Sequence, residues 1–398
     1  MVTSDALARP TSRPRQLAIL ITLAVATFVF VTAEIMPVAL LPWMAPALDT
    51  SYERMGLVVT GYGAVVALTS IPLTRLTLHL SRRRLLCGAF GLFTVSIIMA
   101  GLADSYAVLL TARIATALSH AVFWSLVATT AASLFAGAAT GWVIAVVFSG
   151  GSLGAVIGVP GTAWVGEHGG WRFAFGVVGL LGLLVFVALC LLLPQVPRVA
   201  EKRSVGRSPS RRQYAVVLAT TAVAVTAVFT AQTYVTIFLT DASGFAPSSI
   251  APTLLVAGLA GVAGVSAAGW IMDRRPLLGM VATLVLSAGA LLALYPLAGH
   301  GPAVILLVAL RALAFGALGT AVQVRVLSVA PGSTDIASAA SSSVFNVGIG
   351  AGALLGGYVV ANADVRHTTL VAGVAGIVAV AVYVLGVPRP RRQRARTK

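Results

Sequence analysis

Of the eleven acidic residues in this chain, Glu34 alone falls deep inside an apolar run, Phe28-Val-Phe-Val-Thr-Ala-Glu34-Ile-Met-Pro37. A carboxylate at membrane depth costs a few kcal/mol when charged, so it must be neutral, paired or facing water. Each of those conditions ties its proton to its surroundings, and the chemistry it offers is reversible protonation. Arg113 is the matching cation in another apolar run. Counted along two helices, Glu34 and Arg113 both lie roughly 10–15 Å below the same surface. The expectation is a carboxylate–guanidinium pair that forms in one conformation and separates in another, which would act as a proton switch. A static pair pinning two helices is the plainer alternative.

Arg113, Thr116, His120, Phe123 and Trp124 recur at helical spacing along one face. His120 would lie about 10 Å from Arg113 along the axis, where an imidazole can relay a proton or bond a hydroxyl. Phe123 and Trp124 could stack on an apolar ring face, or serve as ordinary core. Later in the chain Gln232, Tyr234, Ser343 and Asn346 place uncharged polar groups at comparable depth. Amides and hydroxyls facing a midplane cavity suit a small, neutral, hydroxylated molecule; interhelical hydrogen bonds are the alternative. Asn346 is the preferred binding residue of this group, and Arg325 lies close enough to a helix end to snorkel. Gly150-Gly-Ser152-Leu-Gly154 fits the nucleophile-elbow pattern, but that turn needs a strand before it, and here it sits within an apolar glycine-rich segment.

The elements that must position these residues are membrane helices. Hydrophobic residues make up 58% of the 398, charged residues 10%, and mean hydropathy is +0.97. No soluble domain of this length hides so much apolar surface. Twelve runs are long enough to cross a bilayer: 17–43, 55–76, 85–103, 106–134, 141–166, 172–194, 214–240, 250–272, 277–299, 302–330, 338–360 and 368–387. They are too long and too continuously apolar for barrel strands, so the expected fold is an all-α membrane protein with twelve transmembrane helices. The net charge of +16 is concentrated, with 21 of the 27 basic residues near positions 9–15, 75–84, 198–212, 274–275 and 389–398. With twelve spans all of these lie on one side, the positive-inside pattern, which puts both termini in the cytoplasm and argues against a nucleic-acid partner. Cys87 and Cys190 stand far apart in the sequence and read as small core residues without a disulfide or metal role. The first apolar run is too long for a cleavable signal peptide, so an inner-membrane, multi-pass protein is expected.

The stretch from Gln195 to Gln213 is the long polar interruption, rich in serine and basic residues. It divides the chain into an N-terminal six-helix bundle (1–194), a cytoplasmic linker (195–213) and a C-terminal six-helix bundle with a basic tail (214–398). The two parts echo each other. Arg113 recurs as Arg311 at an offset of 198, Phe148-Ser149 as Phe345-Asn346 at 197, and Phe30 as Phe229 at 199. Such a repeat is the pattern of rocking two-bundle transporters that hold their substrate between the halves. Gly154/Gly158, followed by Pro160, and Gly348/Gly352 put small residues on single helix faces, where backbones approach closely and the halves are expected to slide.

Gly154-Ala-Val-Ile-Gly158-Val-Pro160-Gly161 resembles the antiporter motif of the major facilitator superfamily, with its proline one place late. Thr32-Ala-Glu34-Ile-Met-Pro37, His120-Ala-Val-Phe123-Trp124-Ser125 and Phe345-Asn346-Val-Gly348-Ile-Gly350-Ala-Gly352 are similar to its bacterial sugar-efflux members of the arabinose-efflux type. The likeness covers nearly the whole chain. Two features depart from the family pattern. The loop Thr74–Arg84 carries no acid, although its second-half copy keeps Asp273-Arg274-Arg275. Thr116 and Ala117 stand where glutamine and glycine usually follow the span 4 arginine. The resemblance implies a monomeric proton-coupled antiporter exporting a sugar or sugar-like solute, with antibiotic or multidrug efflux as the alternative. In that role Glu34, Arg113 and His120 would couple protons. His120, Phe123, Trp124, Gln232, Tyr234, Ser343 and Asn346 would meet substrate, and Asp273 and Arg274 would gate. No enzyme activity or cofactor is expected; the proton gradient supplies the energy. A membrane-embedded enzyme or sensor would need a second catalytic group near Glu34 or an appended soluble domain.

Overall fold

The computed structural model describes residues 13–50, 52–135, 140–194 and 206–387. Helices account for its regular structure, with no strand among the described residues. In chain order the long helices are α1 (Arg13–Ala47), α2 (Tyr52–Thr77), α3 (Arg82–Gly101), α4 (Tyr106–Leu134), α5 (Thr140–Gly169) and α6 (Trp171–Leu192). After the connection come α7 (Arg211–Gln232), α8 (Pro247–Arg274), α9 (Pro276–Leu294), α10 (Gly301–Val329), α11 (Thr334–Asn362) and α12 (His367–Gly386). Among the described residues, eleven helices are long and apolar enough to cross a membrane; α2 continues unbroken through Pro72.

The helix ends follow local chemistry. Ser81, Ser105 and Ser210 accept from the amides of Arg84, Val108 and Gln213, capping α3, α4 and α7. Proline occupies the first turn of α8, α9 and α10, where its missing N–H costs nothing. Gly170, at φ +84°, makes the abrupt turn between α5 and α6 in a conformation that L side chains resist. Two elements differ from expectation. The run expected over 214–240 breaks: α7 ends at Gln232, and a short turn (Val235–Ile237) and a π-helical turn (Phe238–Ala242) follow. The helix expected over 277–299 ends at Leu294. Within α5, Gly154–Gly158 adopt a π-helical turn just ahead of Pro160, which removes a backbone donor at the position where the ladder is already rearranged.

Packing divides at the linker. One hydrophobic core is built wholly from residues between Ile19 and Leu193, a second from residues between Val217 and Tyr383. In the first set α1 lies against α5 and α6, α3 against α4 and α6, and α2 against α4. In the second, α7 lies against α11 and α12, α8 against α10, and α9 against α10 and α12. The two sets meet where α5 packs on α8 and α2 and α4 pack on α11.

Candidate functional site

The close approach of α1 to α5 holds Glu34's helix in place. A Cβ on Gly158 would sit 2.0 Å from Thr32 Oγ1, and one on Gly154 would sit 2.6 Å from the Phe28 carbonyl. Gly348 and Gly352 do the same for α11 on α7, with Val225 and the Thr226 carbonyl 2.9 and 2.6 Å from the built Cβ atoms. These glycines therefore pack helices within each set in this structure. The surface between the sets uses other glycines: Gly141 against Gly269, and Gly258 against Val156.

Glu34 and Arg113 do come together, but differently from expectation. Arg113, 1% exposed, donates to main-chain oxygens, Nη1 to Ala33 O at 2.8 Å and Nη2 to Glu34 O at 3.1 Å. Its guanidinium also lies 4.4 Å from the centre of the Tyr62 ring. The residue expected to grip the carboxylate grips the helix that carries it. The Glu34 carboxylate, 28% exposed, instead faces His120, with Oε2 3.7 Å from Nδ1. That same Nδ1 is 2.8 Å from the Tyr62 hydroxyl. When the tyrosine donates, the imidazole is neutral and carries its proton on Nε2; when the imidazole is protonated, Nδ1 donates toward the tyrosine and glutamate oxygens. Tyr62 and Glu34 thus converge on one imidazole nitrogen, the tyrosine within hydrogen-bond distance and the carboxylate just beyond it. Sequence reasoning missed Tyr62, although Gly61-Tyr62-Gly63 in an apolar run was a visible signal. Thr116, on the same face, is occupied by Ser96 Oγ at 2.9 Å.

The aromatic pair separates into two roles. Phe123 is fully buried, stacked on Phe30 at 4.4 Å and edge-on to Phe90 at 5.4 Å. In this structure it is core, the alternative that the sequence left open. Trp124, on the adjacent helix direction, is only partly buried, lies 5.7 Å from the His120 ring and 5.6 Å from Phe148, and its Nε1–H has no acceptor. Ser343 Oγ on α11 is also buried without a partner. Asn346 spends one amide hydrogen on its own helix, Nδ2 to Ser342 O at 3.0 Å, which leaves its carbonyl oxygen available. Gln232, at the end of α7, is half-buried. Tyr234 donates its hydroxyl to Ala353 O at 3.1 Å and packs its ring on Gly356, so it anchors α7 to α11.

At the end of the molecule that carries the linker, the two sets are tied by charge. Asp273 on α8 accepts from the first amides of α5, Gly141 N at 2.6 Å and Trp142 N at 2.9 Å. A carboxylate on exposed helix N–H groups is favoured by hydrogen bonding and by the helix dipole. In the opposite direction, Arg82 at the start of α3 meets Asp335 in the first turn of α11, Nη2 to Oδ1 at 3.0 Å, with both side chains buried. The acid missing from the first-half loop is thus matched by a basic residue on that side and an acid on the partner helix. Arg274 takes no part: it lies over Trp270 of its own helix at 4.2 Å. Cys87 and Cys190, expected to stand apart, are brought near each other between α3 and α6, and both remain free.

Comparison with known proteins agrees with this architecture. Residues 23–341 match the Major Facilitator Superfamily. A protein of Mannheimia succiniciproducens named a probable sugar efflux transporter is 32% identical over 367 residues, covering 92% of each chain. Three solved structures share the fold at 12–16% identity: the human organic anion transporter MFSD10 (TM-score 0.75, 94% of this chain and 100% of that one), the E. coli fucose:proton symporter FucP (0.73, 94% and 100%) and the proton:xylose symporter XylE (0.72, 96% and 97%). With buried charges inside apolar helices and a family match across most of its length, the chain is a multi-pass membrane transporter and belongs to the Major Facilitator Superfamily.

Proposed function

We propose that this protein exports a small sugar or sugar-like compound in exchange for protons. In this reading it crosses the inner membrane twelve times as two six-helix bundles, with both termini and the linker in the cytoplasm. The observation that carries the coupling is Glu34: a partly accessible carboxylate in an apolar helix, facing an imidazole that is itself bonded to a tyrosine hydroxyl. Protonation of Glu34 removes the charge that faces His120, so binding of a proton and rearrangement of α1 against α4 are linked. Trp124, with its unpartnered indole N–H, and Ser343 and Asn346 across on α11 supply a flat apolar surface and hydrogen-bonding groups. That combination suits a sugar ring, which is apolar on its faces and hydroxylated at its rim. The name of the Mannheimia relative supports the same substrate class and the outward direction. A drug exporter would share the architecture; the unpaired polar atoms at Trp124 and Ser343, both buried, and the free carbonyl of Asn346 favour the sugar.

A membrane potential of 100 mV is worth about 2.3 kcal/mol per charge, which sustains a gradient of roughly fifty-fold. One exchanged proton therefore suffices for useful efflux without ATP. The test is transport into inverted membrane vesicles with a panel of sugars and antibiotics. Sugar uptake that collapses when the proton gradient is dissipated supports the proposal; uptake of antibiotics alone, or indifference to the gradient, contradicts it.

A further inference from the structure

Among the described residues, four arginines are buried: Arg82, Arg113, Arg311 and Arg325. Three of them are matched by the protein. Arg82 meets Asp335 at 3.0 Å, Arg113 donates to two carbonyls, and Arg325 donates to Gln213 Oε1 at 3.0 Å. Arg311, on α10, is 4% exposed and forms no hydrogen bond, ion pair or ring contact among the described residues. A guanidinium carries five N–H donors and a permanent charge; those of Arg311 are not among the sealed unpaired atoms, so they reach an opening where only water or a solute can meet them.

Its place in the fold sharpens the contrast. Arg311 is the repeat counterpart of Arg113, but the offset that carries Phe30 to Phe229 carries Glu34 to Thr233, which has no charge. One helical turn from Arg311 stands Phe315, whose ring meets Phe229 of α7 at 5.6 Å and Phe345 of α11 at 6.0 Å. Phe345 precedes Asn346, the residue assigned above to the solute. The second half therefore repeats the cation of the first half beside the same helices and omits its acid.

We propose that Arg311 receives an anionic group of the transported solute, so that the cargo is an acidic sugar or a sugar-like organic acid. This rests on the exporter reading above and narrows its substrate class. A carboxylate is the matching group, since its two oxygens accept the paired donors of a guanidinium edge. A consequence follows for energetics. A proton moving in and a monoanion moving out both carry positive charge inward, so two charges cross per cycle. The limiting concentration ratio set by the membrane potential is then the square of that for a neutral sugar.

The test is titration calorimetry on the purified protein with D-glucose and D-glucuronate, which differ only at C6. The wild type is expected to bind glucuronate about ten-fold or more tightly than glucose, the usual scale for a charge-assisted bond. Arg311→Gln should abolish that preference while changing glucose affinity little, and Arg311→Lys should keep part of it. Equal affinities in the wild type, or a preference that survives Arg311→Gln, overturn the proposal. Should Arg311→Gln fail to fold, charge counting decides with the wild type: two charges moved per glucuronate support the proposal, and one charge or none overturns it. Proton-driven glucose efflux without any glucuronate preference removes this inference and leaves the exporter reading standing. Absence of proton-driven efflux for both compounds removes both.

Discussion

Asp335→Ala removes the carboxylate that faces Arg82 across the junction of α3 and α11. Both side chains are buried and their contact is 3.0 Å. Removing one partner of a buried pair typically costs about 3–5 kcal/mol, because the other charge is left without its counterion. Arg82 also reaches the Thr129 carbonyl at 3.4 Å, a weak bond that trims the loss toward the lower end. About 3 kcal/mol corresponds to a shift of roughly a hundred-fold in an equilibrium. Since the pair joins helices from opposite sides of the linker, that loss falls on the conformation in which the linker end is closed. The closed-to-open ratio would therefore fall by about two decades. Asp335→Asn, which keeps the shape and loses the charge, should give an intermediate shift. Spin labels at the exposed positions Arg84 and Gly332 report it by pulsed electron resonance: a second, longer distance should emerge in the variants. A single unchanged distance with a lowered melting midpoint would refute the reasoning and leave the pair as a fold-holding contact only.

Gly158→Val should lower the yield of folded protein, because even a Cβ there would lie 2.0 Å from Thr32 Oγ1; overpacking of this kind costs about 1–3 kcal/mol. Adding Thr32→Ala should restore part of the thermal stability, and failure to do so would place the strain elsewhere. Asn346→Ala should weaken sugar binding by about 1–2 kcal/mol, or five- to thirty-fold, with folded yield unchanged. The reverse outcome would make its amide an interhelical bond. A cysteine at Ser204, in the linker outside the described residues, should react with impermeant thiol reagents from the cytoplasmic side alone; labelling from outside would reverse the orientation or change the number of spans.

Much of this site was legible from spacing. Counting 1.5 Å per residue along two antiparallel helices brings Glu34 and Arg113 to one depth and sets His120 about 10 Å away, whereas the structure gathers all three. Depth alone does not set direction. A guanidinium on a flexible stem reaches either the carboxylate or the carbonyl of the same residue, and Arg113 takes the carbonyls. Phe123 and Trp124 are neighbours that point about 100° apart on a helix, so one joins the core while the other stays accessible. Which one does so depends on Phe30, Phe90 and Phe93 of other helices. The break after Gln232 carries no proline or glycine to announce it and is held by tertiary contact, the Tyr234 hydroxyl on Ala353. The Arg82–Asp335 pair spans 253 residues, a separation at which local pattern is silent. The glycine faces were visible in the sequence, but which helix covers them was not.

The central claim is that the Glu34 proton drives transport, and Glu34→Gln tests it most directly. The amide keeps the shape and hydrogen-bonding capacity of the acid but cannot exchange a proton. In proteoliposomes the account predicts that this variant still binds sugar and exchanges labelled for unlabelled sugar across the membrane, yet no longer accumulates it when a proton gradient is imposed. Full gradient-driven accumulation by Glu34→Gln would contradict the account and remove this carboxylate from the coupling mechanism.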